Sequence, residues 1–318
     1  MSFTGVRVLK GGVLTLVEDA GRWGVSHLGL TQGGVMDRHA WAWGNRLLDN
    51  PWGTAALEIT LGGLQLEFLQ STWCALTGAD MQAQVDGLPQ GNWQSFYVQA
   101  GSRLELGFAR TGMRAYLAVA GGWQTPVGLG GSRSSVQREM LGGQDGLGSA
   151  LQAGDLLPLQ GIAAHTLHRR AVPDDWLPDY SLPLTLGVIE GYQAEQLGAA
   201  FRKAFYQTDW RLTAASSRMA SLFEPDDELP ELLRQATSPL VSEALVAGSI
   251  QLLPSGLPVV VMAERQTLGG YPKIGAVCPM DLDQLAQQVP GSCICFKPVD
   301  PMDAGRREKA FLQFFRSG

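Results

Sequence analysis

Three glycine-bearing stretches hold the residues able to do chemistry. In DAGRWGVSHLGLTQGGVMD, Asp19, Arg22, His27 and Asp37 stand among Gly21, Gly24, Gly29, Gly33 and Gly34. Glycines let a backbone double back and come close to a ligand, so one loop can deliver several charged tips. The same residues also suit a structural loop in which Asp19 and Arg22 only satisfy backbone groups, and residue types alone leave both readings open. In GLGGSRSS, Gly128 to Ser135, Arg133 sits among three serine hydroxyls. That set suits a carboxylate or phosphate oxygen, because the planar guanidinium fork binds such groups bidentately. It lacks the G-x-G-x-x-G register and a following helix pattern, so dinucleotide binding is not supported. In AERQTLGGYPKIG, Ala263 to Gly275, Glu264, Arg265, Gln266 and Thr267 leave a valine-rich run and lead into Gly269, Gly270, Tyr271, Pro272 and Lys273. Backbone N–H groups around a Gly-Gly turn form an anion-binding concavity, with Lys273 as the countercharge. The plainer alternative is a glycine turn with a surface lysine.

Other chemistries find little support. The G-x-x-x-x-G-K-[ST] phosphate loop and the G-x-S-x-G nucleophile elbow are absent. His165 and His168 stand beside Arg169 and Arg170, which repel a cation, so no metal site is expected. Cys74, Cys278, Cys293 and Cys295 include no C-x-x-C pair. In SCICFKPV, Cys293 and Cys295 alternate, which in a strand puts both on one face as small apolar packing groups.

These segments need a scaffold. With 318 residues, two packed units or one large one are expected. Hydrophobic residues at 45% and charged residues at 17% belong to an ordered globular chain. Forty glycines imply many tight turns and a mainly β fold with a few helices. A net charge of −6 offers no basic field for nucleic acid. The opening residues lack an apolar signal core and the longest apolar runs are too short to span a bilayer, so a soluble, cytoplasmic protein is expected.

Alternation predicts strands at Leu64 to Phe68 and through Leu104, Leu106 and Phe108. Others are predicted at Val13 to Glu18, Trp73 to Thr77, Arg114 to Ala120, Leu184 to Ile189, Ile250 to Leu253, Val259 to Ala263 and Cys293 to Pro298. Helices are predicted after Asp37, whose carboxylate can cap free N–H groups, near Ala194 to Tyr206, through PMDLDQLAQQV with Val289 on the buried face, and in the last sixteen residues. Trp41 and Trp43 are expected in core or interface packing. A proline-rich, charged stretch without periodicity places a linker at 166–183, between units at 1–165 and 184–318.

Taken in order, EDAGRWG, GGVMDRHAWAWGNRLLDN with ALEITLGG, LTGA, RAYLAVAGG with GSR, SSRM, SIQLLPSGLPVVVMAERQTLGGYPK and LAQQVPG resemble the KipA/PxpC family over nearly the whole chain. This family supplies the C subunit of 5-oxoprolinase and is related to allophanate hydrolase subunit 2 and the carboxyltransferase part of urea carboxylase. The resemblance implies two cyclophilin-like β-barrel units and a heteromeric complex with a KipI/PxpB-like subunit and a PxpA-like third subunit. It also implies ATP with Mg2+ bound in that complex and ATP-dependent opening of the 5-oxoproline lactam to glutamate. On that reading Arg133, Lys273 and the Gly269–Gly270 backbone clamp an anion while Gln266 and Tyr271 orient the substrate. Asp19 and Asp37 serve as a base or a magnesium contact, with Arg22 positioning them by an ion pair. The sequence departs from the family pattern at Glu190–Gln193, at Gly146–Ala150 and at Glu264. Two alternatives remain. One is biotin-dependent carboxyl transfer to a urea-like acceptor, for which this chain carries no biotin attachment site. The other is a non-catalytic protein that binds a KipI-like kinase inhibitor.

Overall fold

Strands with one dry face need a second layer to bury it. The structure, a computed structural model, describes residues 4–160, 167–234 and 240–316; His165 lies outside them. One unit comprises Met1–Gly24, Gly33–Ser181 and Phe314–Gly318, the other Val25–Gln32 and Leu182–Gln313.

In the first unit the strands are β1 (Gly5–Gly11), β2 (Leu14–Glu18), β3 (Ala56–Thr60), β4 (Leu64–Phe68), β5 (Thr72–Gly78), β6 (Gln84–Val85), β7 (Leu88–Pro89), β8 (Gln94–Val98), β9 (Arg103–Glu105), β10 (Arg114–Val119) and β11 (Leu156–Pro158). They form two antiparallel sheets, ordered β11-β1-β4-β9-β6-β7 and β2-β3-β10-β5-β8. The core lies between them, with Val6, Leu64, Leu66 and Phe68 from one sheet and Leu57, Ile59, Leu76 and Leu117 from the other. Helix α1 (Arg38–Arg46) covers the far face of the second sheet, where the Thr77 hydroxyl donates to the Ala40 carbonyl at 2.7 Å. Gly44 permits that approach, since a Cβ there would meet Thr77 Oγ1 at 3.1 Å. Asp37 caps α1 as expected, its Oδ1 accepting from Ala40 N at 2.9 Å. Trp41 and Trp43 are buried, as expected.

The stretch read as a linker packs on the first unit up to Ser181. Trp176 stacks on Phe314, with centroids 4.6 Å apart, and the Tyr180 hydroxyl donates to Asp37 Oδ2 at 3.2 Å. Phe108 is exposed, because regular pairing ends at Glu105 and only an isolated bridge to Gly62 follows.

The second unit holds β12 (Leu184–Glu190), β13 (Trp210–Leu212), β14 (Ala220–Pro225), β15 (Glu243–Ala244), β16 (Ser249–Leu252), β17 (Pro258–Val261), β18 (Leu268–Gly269), β19 (Lys273–Val277) and β20 (Cys293–Pro298). Seven of these close into a barrel, β12-β19-β16-β17-β14-β13-β20, sealed by the parallel pair β12 and β20. In β20 the bulkier Ile294 and Phe296 fill the interior and are buried, so Cys293 and Cys295 fall on the outer, half-buried face. This corrects the core-packing expectation for that pair, while Cys74 and Cys278 are buried. The helix expected near Ala194 is two, α2 (Tyr192–Leu197) and α3 (Ala199–Gln207), broken where Gly198 takes φ +82°. Helix α5 after α4 (Glu231–Arg234) spans only Pro279–Leu285, and Val289 beyond it is exposed. Helix α6 is Pro301–Arg316. No helix among the described residues is long and apolar enough to cross a membrane.

Candidate functional site

In the first unit the serine loop closes on Asp19. Its Oδ1 accepts from Gly21 N at 2.8 Å and from the Ser132 and Ser134 hydroxyls at 2.7 Å each, and its Oδ2 accepts from Arg133 N at 2.6 Å. The buried Arg22 guanidinium donates to the Ser134 carbonyl. The loop's affinity for a carboxylate, legible in its composition, is thus met within the chain. One consequence concerns Arg133: its backbone is pinned while its half-buried guanidinium has no hydrogen-bond or ion-pair partner among the described residues. Such a side chain is poised to meet an anion. Gly142 at φ +71° permits the loop, since a Cβ there would collide with the Ser134 carbonyl.

Asp37 is 1% exposed. Its backbone N–H donates to the Tyr116 hydroxyl at 2.8 Å, and that hydroxyl donates to Glu58 Oε2 at 2.8 Å. Met36 N donates to the same oxygen at 2.8 Å. Burial, then the charges of Glu58 and Asp37, push the Tyr116 phenol well above its ordinary range, so it stays a neutral donor. Asp37 and Asp19 are linked through Val35, whose N–H donates to the Asp19 carbonyl at 3.0 Å.

The second unit carries another polar cluster, at β19. Lys273 Nζ pairs with Glu243 Oε2 at 2.9 Å, and Glu243 Oε1 accepts from the Tyr192 hydroxyl at 2.5 Å and Gln193 Nε2 at 2.8 Å. Gln193 Oε1 in turn accepts from Lys273 N at 2.7 Å. The Tyr192 hydrogen bond and then the Lys273 ammonium hold the Glu243 carboxyl below the usual carboxylate range. Lys273 therefore already has a counterion. Gly269 and Gly270 are not at positive φ, and β18 runs through Gly269 paired with Glu243. The expected Gly-Gly concavity is replaced by extended backbone; Gly269 instead makes room for Gln251, whose amide a Cβ would strike. Gln266 and Tyr271 are exposed. Arg265 donates to Gln32 Oε1 at 3.1 Å and its carbonyl accepts from the Thr31 hydroxyl at 3.1 Å, so part of the first glycine stretch belongs to this unit, with His27 exposed in it. Glu264 pairs with Arg218 at 2.5 Å.

A family model, "Carboxyltransferase domain, subdomain A and B", matches residues 28–298. The chain belongs to that family. It is 35% identical to the C subunit of 5-oxoprolinase from Haemophilus influenzae over 94% of both chains. It is also 32% identical to the C subunit of 5-oxoprolinase from Escherichia coli, over 92% of this chain and 90% of that one. The fold matches Kluyveromyces lactis urea carboxylase with TM-score 0.88 at 24% identity, over all of this chain and 29% of that one. Another solved chain it resembles is covered to 56% of its length.

Within this carboxyltransferase-family chain, Asp19, Arg22, Asp37 and Arg133 lie in the first unit, and Gln266, Gly269, Gly270, Tyr271 and Lys273 in the second. Glu58, Tyr116 and Glu243 carry no signal in the sequence that marks them. Tyr192 and Gln193 carried one signal, since they fall where the sequence departs from the family pattern. Among the described residues no group of three or more His, Cys, Asp and Glu could hold a metal ion.

Proposed function

We propose that the chain is the C subunit of an ATP-dependent 5-oxoprolinase, acting with a KipI/PxpB-like subunit and a PxpA-like third subunit in opening 5-oxoproline to glutamate. The observation that carries the reading is the identity of 35% to the C subunit of a 5-oxoprolinase along 94% of both chains. A five-membered lactam resists water because its amide resonance must be broken. Phosphoryl transfer to the amide oxygen activates the amide carbon for attack by water; the adduct collapses by breaking the ring C–N bond, the nitrogen taking a proton as it leaves as the amine, and a second water hydrolyses the resulting acyl phosphate to glutamate and phosphate. The substrate carboxylate and the developing phosphate charge both need cationic and N–H donors. Arg133, held by its own backbone bond to Asp19, supplies such a donor. With both carboxylate oxygens of Asp19 engaged by the serine loop, its role in this proposal is positioning. Lys273, with Glu243, Tyr192 and Gln193, forms a hydrogen-bonding group suited to a polar substrate. The Gly269–Gly270 stretch does not fit a nucleotide-phosphate cradle, because neither glycine is at positive φ, and among the described residues no group of three or more His, Cys, Asp or Glu is placed to hold magnesium. ATP with Mg2+ is assigned to the complex as a whole.

The test is 5-oxoproline-dependent glutamate formation and ATP turnover by the chain co-purified with its partners. Arg133→Ala is expected to lower turnover about a hundredfold, the loss of one charge-assisted contact of about 2.7 kcal/mol. Wild-type rates in Arg133→Ala would remove its proposed role, and no turnover by the wild-type complex would remove the proposal. The likeness to urea carboxylase favours a second reading, biotin-dependent carboxyl transfer to a urea-like acceptor. Under it, a separate biotinylated carrier and bicarbonate would be required and 5-oxoproline would be inert.

A further inference from the structure

A cavity of about 500 Å³ opens in the first unit between α1, the turn at Asp49–Trp52, the segment Arg170–Pro173 and Phe314–Phe315. It shares no residue with the Asp19 or Lys273 clusters. Its size falls within the range of roughly 300–1,000 Å³ common for small-molecule sites. The lining is dominated by flat aromatic surfaces: Trp41 meets Trp52 edge-on at 4.8 Å, and Trp43 contacts Phe314 and Phe315 at 5.6 and 5.5 Å. Two observations point to a ligand with an acceptor and a negative charge. Trp43 is 6% exposed, and its indole Nε1 is buried with no hydrogen-bond partner among the described residues. Buried indole N–H groups ordinarily find an acceptor. The second observation is a cation in excess. Arg170 is balanced by Asp49 at 2.6 Å, whereas Arg46 has no acidic partner among the described residues. Arg46 spends one donor on the Phe314 carbonyl at 3.0 Å and lies 4.2 Å over the Phe314 ring. Trp43 and Arg46 are three apart on α1, so they are neighbours on the helix surface.

We propose that this cavity binds a planar aromatic carboxylate, its ring lodged against Trp41 and Trp52 and its carboxylate held by Arg46 and the Trp43 N–H. A cation of that shape is disfavoured by Arg46, and a neutral ring forfeits the charged contact.

Calorimetric titration of the full chain with indole-3-acetate, indole and tryptamine tests this. Indole-3-acetate is expected to bind with a submillimolar Kd that weakens with added salt, indole about tenfold more weakly and tryptamine not measurably. Arg46→Gln is expected to reduce the affinity for indole-3-acetate about tenfold. Ala42→Leu, which fills part of the cavity, should abolish binding while the far-ultraviolet circular dichroism stays unchanged. Should Arg46→Gln fail to fold, the three-ligand series on the wild-type chain still decides. Absence of binding heat for indole-3-acetate at about 5 mM, or tryptamine binding as well as the acid, overturns the proposal.

Discussion

Replacing Asp19 tests whether one carboxylate organises the serine loop. Its two oxygens accept four hydrogen bonds, from Gly21 N, Ser132 Oγ, Ser134 Oγ and Arg133 N. Hydrogen bonds to a charged group contribute about 1.5–3 kcal/mol each, so Asp19→Ala removes several times that in gross terms. Water entering the vacated space restores part of it, which sets the expected net loss at about 3–5 kcal/mol. Asp19→Asn keeps an acceptor at Oδ1 but turns an NH2 group toward the Arg133 N–H, for an expected loss of about 2 kcal/mol. A chain of two units need not unfold in one step, so the local readout is more direct than a melting curve. Amide exchange at Arg133 and Ser134 should accelerate about a hundredfold or more in Asp19→Ala and about thirtyfold in Asp19→Asn, provided these amides open locally in the wild type. Acceleration below about fivefold in the alanine variant would refute the assignment of Asp19 as the loop's anchor.

Three further outcomes follow from named contacts. Gly142→Ala should lower stability by about 3 kcal/mol, since it combines a left-handed residue with a collision at the Ser134 carbonyl, whereas Gly146→Ala, with open space around it, should lose only about 1 kcal/mol; equal denaturation midpoints would contradict this. The folded Glu243 carboxyl is held below its ordinary range, so the stabilisation it gives is present above the unfolded value and is lost as pH falls through the depressed one. Tyr192→Phe should therefore raise its titration midpoint in carboxyl NMR, and an unmoved midpoint would show that the hydroxyl is not the cause. Burial, then the Asp209 hydrogen bond, push the Cys295 thiol up to about 11, so iodoacetamide labelling at pH 8 should be slow, and faster in Asp209→Asn; rapid labelling of the unaltered protein would refute the contact.

Legibility tracks how many faces of a strand are wet. Leu64 to Phe68 alternates because one face is packed and the other solvated, and it is readable for that reason. Strand β3, ALEIT, is buried on both faces with Glu58 inside, so its period is hidden, and β8 and β19 escape the alternation pattern as well. In SCICFKPV alternation is visible but its phase is not, because cysteine and isoleucine both pass as apolar and only volume decides which faces the barrel. A single glycine in a helical pattern can be tolerated or can end the helix, and Gly198 ends it. At the site, the three serines around Arg133 announce an affinity for oxygen anions. Which carboxylate answers, Asp19 more than a hundred residues away, depends on tertiary structure. The Gly269–Gly270 pair misleads because glycine serves close approach as readily as it serves a turn.

The backbone passes between the two units at Gly24–Val25, Gln32–Gly33, Ser181–Leu182 and Gln313–Phe314. A single protease nick at 181/182 would consequently release neither half, and splitting the gene at that point would leave each product lacking a piece borne by the other. Synthesis on the ribosome imposes an order as well: the aromatic cluster around Trp43 and Trp176 must wait for Phe314 and Phe315, which follow Trp176 by more than a hundred residues, before it can close.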